Sequence, residues 1–357
     1  MLIFNKKDKV MLWKKIVLFA LVLILLVVGR TLYYAGAFKK SVIIGRQETS
    51  LINGMIGAED ITIDQTSGFA FVSSDDRRST VAGKPKKGAI YLLNLSQDSP
   101  EPIELTADFE LDDFHPHGIS LFQDNTDSTQ WLFVINHRAK KNTVEVFQFI
   151  DTSLVHVKSI SDTHFVSPND LVAVSKNTFY FTNDHDSHGG VSSWKDFLVI
   201  GTGQLGFYDG QKTTILENGI RYANGITVSP DGSKIYVAAC TDGSILSYNR
   251  EPFSAIGKIK CNTGVDNLEW DTEGNLWVGA HAKMLVFLGH SKDANKRSPS
   301  EVLKISFPNG QKEVVTQVYL NDGNPLSGSS VAAPYNGKIY VGGVFDDGVL
   351  VLTNQDF

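Results

Sequence analysis

The feature that most constrains the fold is a short phrase that recurs six times after about residue 57. The copies read GAEDITI, HPHGISL, SPNDLVAV, YANGITV, GVDNLEW and GSSVAA, at intervals of about 40 to 60 residues. Each is followed, after a turn such as SPDGSK or DTEGN, by a second run rich in Val, Ile, Phe and Tyr. A large sandwich or barrel would not repeat one strand pair with the same turn chemistry. The pattern therefore predicts an all-β chain with six four-stranded antiparallel sheets, a six-bladed β-propeller.

Composition limits the other possibilities for this chain of 357 residues. The 33 Lys and Arg residues stand against 39 Asp and Glu, with no basic stripe, so a nucleic-acid partner is not expected. Cys240 and Cys261 are too few for a disulfide framework or for a thiolate zinc site. We therefore predict a propeller domain over residues 41–357, preceded by a distinct segment over residues 1–40.

The first 40 residues have the composition of a membrane anchor. A lysine cluster precedes the apolar run from Ile16 to Gly29, which is shorter than the ~20 residues of a comfortable span. A secretory signal is therefore an alternative, with YAGA at residues 34–37 as a candidate cleavage site. Arg30 and interfacial aromatics such as Trp13 favour an uncleaved signal-anchor helix. The lysines then predict a cytoplasmic N-terminus and an extracytoplasmic domain, which would be secreted if the anchor were cut.

Polar residues stand directly before the six predicted inner strands. In a propeller such equivalent positions surround the central axis, so residues far apart in sequence converge there. They are Glu59, His117, Asn169, Asn224, Asp266 and Ser329. Turn residues at strand starts are the alternative explanation.

A buried cluster of this kind needs a counter-charge, which a hard cation supplies. Carboxylate and amide oxygens are the preference of calcium, and there are too many of them for tetrahedral zinc. The predicted ligands of a first ion are Glu59, Asn169, Asn224, Asp266 and Asn267. A second, structural ion is predicted at another level of the axis, held by Asp60, Asp170 and a backbone carbonyl near Ile119.

The ends of the second strands bring further polar residues to the same mouth. Blade order places His137 beside His117, where one imidazole can orient the other as a general base. The other predicted pocket residues are Asp184, His185, Tyr222, Cys240 and His281. Tyr222 is as plausible in packing, and Cys240 lacks a clear activating base for a nucleophile.

Eight short motifs of the chain, taken together, resemble in the same order those of the paraoxonase (arylesterase and lactonase) family of six-bladed calcium propellers. They are GAEDI, PHGIS, INH, PNDLVAV, FYFTNDH, ANGI, VDNLEW and LWVGAH. The resemblance runs from about Gly57 to near the C-terminus. It implies a catalytic calcium and a structural calcium on the two ligand sets above, and a His117–His137 dyad. It also implies that Asp184, His185 and His281 line the mouth, and that the hydrophobic N-terminus is uncleaved.

Three departures from that family bear on closure and specificity. Mammalian members join the first strand to the last by a disulfide, but neither end of this chain has a cysteine, so closure must rest on strand pairing. Asp76, Arg77 and Arg78 stand where those members carry apolar and aromatic pocket residues. We therefore expect Asp76 and Arg78 in the pocket and a polar or anionic substrate. His115 replaces the usual Asn and is interpreted as a turn residue.

The sequence thus predicts a calcium-dependent hydrolase of lactones and activated aryl esters. Two alternatives remain open: a sugar-type lactonase resembling gluconolactonases, and a non-catalytic membrane-tethered propeller that binds a ligand and keeps calcium for structure. The expected partners are a small lactone or ester substrate and the membrane, with no obligate protein partner.

Overall fold

A computed structural model of the protein describes residues 6–40, 42–45, 48–187, 195, 198–308 and 312–353. Over these residues the chain forms helix α1 (Lys6–Tyr34) followed by six four-stranded antiparallel sheets arranged around a central tunnel. The prediction of an all-β six-bladed propeller behind an N-terminal apolar helix is confirmed. The part of α1 from residue 10 to residue 34 is long and apolar enough to cross a membrane, a property that cleaved signal sequences share.

The strands of each sheet follow one another from the tunnel outward. The first sheet contains β2 (Ala58–Asp64), β3 (Phe69–Ser74), β4 (Ala89–Asn94) and β5 (Ile103–Glu104). The second contains β6 (Pro116–Gln123), β7 (Gln130–His137), β8 (Asn142–Ile150) and β9 (Ser153–Ile160). The third contains β10 (Pro168–Ala173), β11 (Phe179–Asn183), β12 (Gly203–Tyr208) and β13 (Thr213–Ile220).

The other three sheets repeat this order. The fourth contains β14 (Ala223–Val228), β15 (Lys234–Ala239), β16 (Ser244–Asn249) and β17 (Ser254–Lys260). The fifth contains β18 (Gly264–Trp270), β19 (Leu276–His281), β20 (Glu301–Ser306) and β21 (Val314–Leu320). The sixth contains β22 (Ser329–Tyr335), β23 (Lys338–Gly343), β24 (Asp347–Thr353) and β1 (Glu48–Ile56). Short helices α2 (Arg77–Val81) and α3 (Met284–Lys292) lie in the connections after β3 and β19.

The ring is closed by backbone pairing between the first and last strands. β1 runs antiparallel to β24, with Thr49 opposite Leu352 and Leu51 opposite Leu350. Both cysteines are free. Closure of the ring therefore rests on hydrogen bonds and apolar packing within the sixth sheet, as the sequence predicts.

Apolar side chains fill the spaces between neighbouring sheets. Between the second and third sheets, for example, Phe133, Phe179 and Phe181 are fully buried together, and the ring of Phe165 meets that of Phe181 edge-on at 5.0 Å. Such contacts fix the angle between sheets, and hence the distance of each inner strand from the axis.

A register shift interrupts every inner strand at the same place, near its first residues. The shifts lie between residues 58 and 60, 116 and 119, 168 and 171, 223 and 226, 265 and 268, and 329 and 331. A bulge breaks the strict alternation of side chains, so two consecutive residues can face the same side of a sheet. This is why Glu59 faces one cavity on the axis while the adjacent Asp60 faces another below it.

Gly118 allows two neighbouring inner strands to approach closely. A Cβ at this position would lie 2.5 Å from the Cα of Asp170 and 2.6 Å from the carbonyl oxygen of Asn169. Because backbone would have to move, Gly118→Ala is expected to lower the free energy of unfolding by about 1–3 kcal/mol, measured by urea denaturation. Gly257→Ala is the matched control, since its Cβ would meet nothing within 4 Å. Equal stability of the Gly118→Ala variant and the native chain would contradict this account.

Candidate functional site

A cavity of about 490 Å³ lies at the end of the tunnel where the inner strands begin. Most of the residues predicted for the site line it: Glu59, His117, Asn169, His185, Tyr222, Asn224, Cys240, Asp266 and His281. The outer wall is largely apolar and includes Phe287 and Leu288 of α3. Thr31, Tyr34 and Ala35 at the end of α1 complete it, so the N-terminal helix contributes to the cavity.

Five buried carboxylate and amide oxygens have no hydrogen-bond partner among the described residues, and four of them belong to residues that line the cavity. The five are Glu59 Oε2, Asn169 Oδ1, Asn224 Oδ1, Asp266 Oδ1 and Asn267 Oδ1. A buried acceptor without a donor costs about 1–3 kcal/mol, so a convergence of five requires a positive charge to be stable. These are the same five residues whose side chains the sequence predicts as ligands of the first ion, and their chemistry fits calcium.

The amide of Asn267, on β18 of the fifth sheet, is held in one orientation by Glu59 of the first sheet, two sheets away around the ring. Its Nδ2 donates to Glu59 Oε1 at 3.0 Å and to the Glu59 carbonyl at 3.3 Å, so its Oδ1 is the free atom. Within the described part of the chain, no group of three or more His, Cys, Asp or Glu side chains is arranged to hold a metal. A site here must therefore depend on amide oxygens, as calcium sites do and zinc sites do not.

The two carboxylates of this set differ in their surroundings. Burial raises the pKa of Glu59, but His117 and Arg77 outweigh it and hold that pKa at about 2. Burial raises the pKa of Asp266, and His281 opposes that shift through a 2.8 Å contact between Nε2 and Asp266 Oδ2. Both acids lie within a mostly closed interior where a bound cation would favour their charged forms.

A second cavity of about 180 Å³ lies further along the axis and is lined by Asp60, Ile119 and Asp170. Each acid already accepts backbone N–H groups from the next sheet: Asp60 from Ile119 at 2.8 Å and Asp170 from Ile226 at 2.7 Å. Burial and the charge of Glu59 raise the pKa of Asp60 well above its usual range, and burial and the charge of Asp60 do the same for the pKa of Asp170. Glu269 also lines this cavity, and the sequence did not predict it. Three acids around one small space would be stabilised by a cation.

The two predicted histidines are hydrogen-bonded to each other, and a third residue decides which nitrogens carry protons. Asn142 Nδ2 donates to the carbonyls of Phe165 and Val166, at 2.9 and 3.3 Å, so its Oδ1 is left as an acceptor. His137 Nδ1, 3.0 Å from that oxygen, must therefore be the donor. Its Nε2 then accepts from His117 Nδ1 at 2.8 Å.

This chain of hydrogen bonds leaves His117 Nε2 as a lone-pair nitrogen, 3.5 Å from Glu59 Oε2. Burial lowers the pKa of His137 to about 4, so His137 stays neutral at physiological pH. A neutral His137 keeps the accepting nitrogen that His117 needs. The arrangement suits His117 for proton abstraction.

His115, interpreted from the sequence as a turn residue, is instead buried and hydrogen-bonded to Asp75. Its Nδ1 lies 2.8 Å from Asp75 Oδ1, and only 8% of the residue is exposed. The hydrogen bond to Asp75 raises the pKa of His115 above its ordinary value. The imidazole holds the end of β3 against the start of β6, next to His117.

Three residues expected in the pocket do not line it. Asp76 caps α2 by accepting from Ser79, and Arg78 turns away to contact His290 and the carbonyl of Phe345. Asp184 lies behind the wall, where its Oδ1 is 2.7 Å from His185 Nδ1 and so orients that imidazole. The expectation that Asp76 and Arg78 lie in the pocket is therefore corrected. Successive side chains of a helix point to different sides, and in α2 the side chain that reaches the cavity is that of Arg77.

Besides Glu269, sequence reasoning missed Arg77 and Asn142. Arg77 is the residue of the Asp-Arg-Arg stretch that enters the cavity. Asn142 begins β8, and no motif marked it, because its role depends on Phe165 and Val166, which lie between β9 and β10. The charged residues at positions 76–78, where the resembled family carries apolar and aromatic residues, were a signal for Arg77. Nothing in the sequence alone pointed to Asn142.

Comparison with known proteins shows similarity to one family along almost the whole propeller. The sequence model of the family described as Arylesterase matches residues 42–351. Human serum paraoxonase/arylesterase 1 is 36% identical over 312 residues, covering 83% of this chain and 86% of that protein. Rat serum paraoxonase/arylesterase 2 is 37% identical over 312 residues with the same coverage of both chains.

Solved structures of more distant proteins share the fold. A luciferin-regenerating enzyme superposes with a TM-score of 0.57 at 13% identity, covering 87% of this chain and 96% of that one. A PQQ-bound aldose sugar dehydrogenase from Streptomyces coelicolor gives a TM-score of 0.52 at 11% identity, with coverage of 87% and 99%. These likenesses concern the propeller only, since one fold supports many chemistries.

Proposed function

The chain belongs to the arylesterase (paraoxonase) family of ester and lactone hydrolases, and from this premise we propose that its cavity hydrolyses lactones and activated aryl esters with two bound calcium ions. The observation that carries the proposal is the convergence of five unpartnered buried oxygens beside a hydrogen-bonded histidine pair.

The first calcium ion would be held by Glu59, Asn169, Asn224, Asp266 and Asn267. The second, structural ion would be held by Asp60, Asp170 and the carbonyl of Ile119. The chemistry that calcium supplies when bound in the cavity is Lewis acidity toward the scissile carbonyl, which also stabilises negative charge on its oxygen.

The protein's own groups would perform the proton transfers. His117 Nε2 takes a proton from a water molecule, whose oxygen forms the new bond to the carbonyl carbon as the bond to the leaving alkoxide breaks. His137 and Asn142 hold His117 in the basic tautomer. The same His117 can return the proton to the leaving oxygen, giving an alcohol or phenol and a carboxylic acid, which then releases its own proton to solvent and becomes a carboxylate. In a lactone both groups remain on one product molecule.

The direct test is metal removal from the full-length protein. Hydrolysis of a lactone panel is expected to fall at least about 100-fold in excess chelator and to return with calcium, because a lost electrostatic stabiliser costs about that much. The same treatment should lower the melting temperature, since the buried acids lose their counter-charge. Unchanged turnover in chelator would refute the calcium-dependent mechanism.

A non-catalytic binding module remains the rival class. A structural ion alone does not need a neutral, tautomer-fixed imidazole pair opening into the same cavity. The family match likewise favours aryl esters and simple lactones over the sugar lactones of the gluconolactonase alternative.

For the N-terminus we propose an uncleaved single-pass anchor with a cytoplasmic N-terminus and the propeller outside. The end of α1 is fixed to the propeller: Arg30 donates to the Leu198 and Val199 carbonyls at 3.1 and 3.2 Å, and Ala35 accepts from Met284 at 3.1 Å. Lys39 pairs at 2.7 Å with the buried Glu301. Cleavage at residues 34–37 would remove part of the cavity wall.

The intact mass of the mature protein, extracted from membranes with detergent, tests this point. We expect a mass that includes α1, and activity that copurifies with the membrane fraction. Recovery of a fully active soluble form that begins after residue 37 would contradict the anchor.

A further inference from the structure

Arg77 places a guanidinium in the innermost part of the cavity. It is the only Lys or Arg among the described residues that line the cavity. Its Nη2 lies 3.9 Å from Glu59 Oε2, the same oxygen that is 3.5 Å from His117 Nε2. The cation and the proposed base therefore flank one carboxylate oxygen, and a substrate that reaches one also reaches the other.

Backbone carbonyls hold this side chain in position. Nη1 donates to the carbonyls of Gly57 at 3.2 Å and Asp75 at 3.5 Å, and Nη2 donates to that of Pro116 at 3.3 Å. Carbonyls fix the plane of the guanidinium without neutralising its charge. The side chain remains 16% exposed, and its exposed part faces the cavity.

The charges around the inner cavity do not balance once a divalent ion is present. Glu59 and Asp266 are the acids among its lining residues, and together they match the charge of one calcium ion. The charge of Arg77 is then left over on a side chain that is mostly buried, where an unpaired charge is costly. An anionic group on the bound molecule would balance it.

We propose that Arg77 is a specificity-determining residue that binds a carboxylate on the substrate, close to the scissile carbonyl. The inference rests on the proposed hydrolase function and names its substrate class. The guanidinium offers planar, charged donors suited to a carboxylate. Leu285, Phe287, Leu288 and Phe345 form an apolar outer wall, so the rest of the substrate is apolar. The preferred substrates are thus amphiphilic lactones or esters with a carboxylate near the reacting group.

The test uses γ-lactones that differ only in a ring carboxylate or its neutral carboxamide. The native enzyme is expected to prefer the carboxylate in kcat/KM, and Arg77→Met is expected to reduce that preference roughly 30-fold, the value of one charged hydrogen bond. Arg77→Lys keeps the charge but not the planar donor pair, so an intermediate preference is expected. Lys86→Met removes a cation from the same connection outside the cavity lining, and should leave the preference unchanged.

A binding measurement on the native protein separates this inference from the proposed activity and from misfolding of a variant. The corresponding γ-lactams, 5-oxopyrrolidine-2-carboxylate and its carboxamide, are not hydrolysed, and their dissociation constants can be measured by NMR titration. Tighter binding of the carboxylate by about tenfold or more supports an anion subsite even if neither lactone is turned over. Equal binding of the two lactams, or an unchanged preference in Arg77→Met, would show that Arg77 only holds backbone carbonyls and would overturn the inference.

Discussion

Glu59→Gln is expected to lower kcat/KM for lactones and aryl esters by at least about 10³-fold, because it removes one of only two carboxylates from the proposed catalytic calcium site. Glutamine keeps the size and one oxygen that can accept from Asn267 Nδ2, but not the charge. Calcium binding measured by equilibrium dialysis should lose one of the two proposed ions, while the structural ion at Asp60 and Asp170 remains.

The same substitution should change the response of stability to calcium. Without the ion, the native protein has five unpartnered oxygens at this point, and removing one charge relieves part of their repulsion. We therefore expect Glu59→Gln to melt no lower than the native chain in chelator, yet to gain less when calcium is added. Glu101→Gln, at an exposed position, is the matched control and should leave both properties unchanged. Native-like turnover by Glu59→Gln would remove Glu59 from the metal site.

His117→Gln is expected to lower kcat/KM by about 10² to 10⁴-fold with calcium binding retained, the range that a positioned general base contributes. Glutamine can hydrogen-bond to His137 but cannot take a proton from water. Retention of most lactonase activity by His117→Gln would show that the proposed base is dispensable, without affecting the calcium proposal.

Asn142→Leu tests the tautomer that supports this base. Without the Asn142 oxygen, His137 can move its proton from Nδ1 to Nε2, which would make His117 Nδ1 the acceptor and place a proton on His117 Nε2. A nitrogen that already carries a proton cannot act as the base. We therefore expect kcat to fall about 10 to 100-fold, the usual effect of losing a residue that orients a functional histidine by a hydrogen bond.

Nitrogen-15 NMR of the histidine rings reports the tautomer directly and would not respond to a simple loss of packing. Asn142→Asp keeps an acceptor for His137 Nδ1 and should restore much of the rate. Asn125→Leu, on an exposed loop, controls for the added apolar side chain. If Asn142→Leu kept the native tautomer and rate, Asn142 would have no part in positioning the pair.

Much of the site could be predicted because a repeat converts sequence position into spatial position. Once six copies of one strand pair are recognised, the residue before each inner strand must lie near the axis, whatever the intervening distance. Glu59 and Asn267 are 208 residues apart in the chain, yet they share a hydrogen bond. The predicted calcium ligands and the predicted histidine pair both follow from the equivalent positions of residues in the six repeated sheets.

The bulges supply the physical reason for the predicted second level of acids, which strand alternation alone would not give. Strict alternation in a strand would send Asp60 and Asp170 to the opposite face from Glu59 and Asn169. The register shifts instead turn each pair toward two levels of the same tunnel. A bulge depends on how two strands align, so a single strand's sequence does not reveal it.

The amino-acid sequence by itself determined the propeller, the ring of oxygen donors at its mouth and the apolar N-terminal helix, because each of these is encoded in a periodic or local pattern. Only the tertiary structure decided that Arg77 rather than Arg78 enters the cavity, that His115 pairs with Asp75, and that Asn142 orients the histidines. Those choices depend on contacts between side chains and backbone carbonyls from different turns and sheets. Such contacts exist only after the blades have packed together.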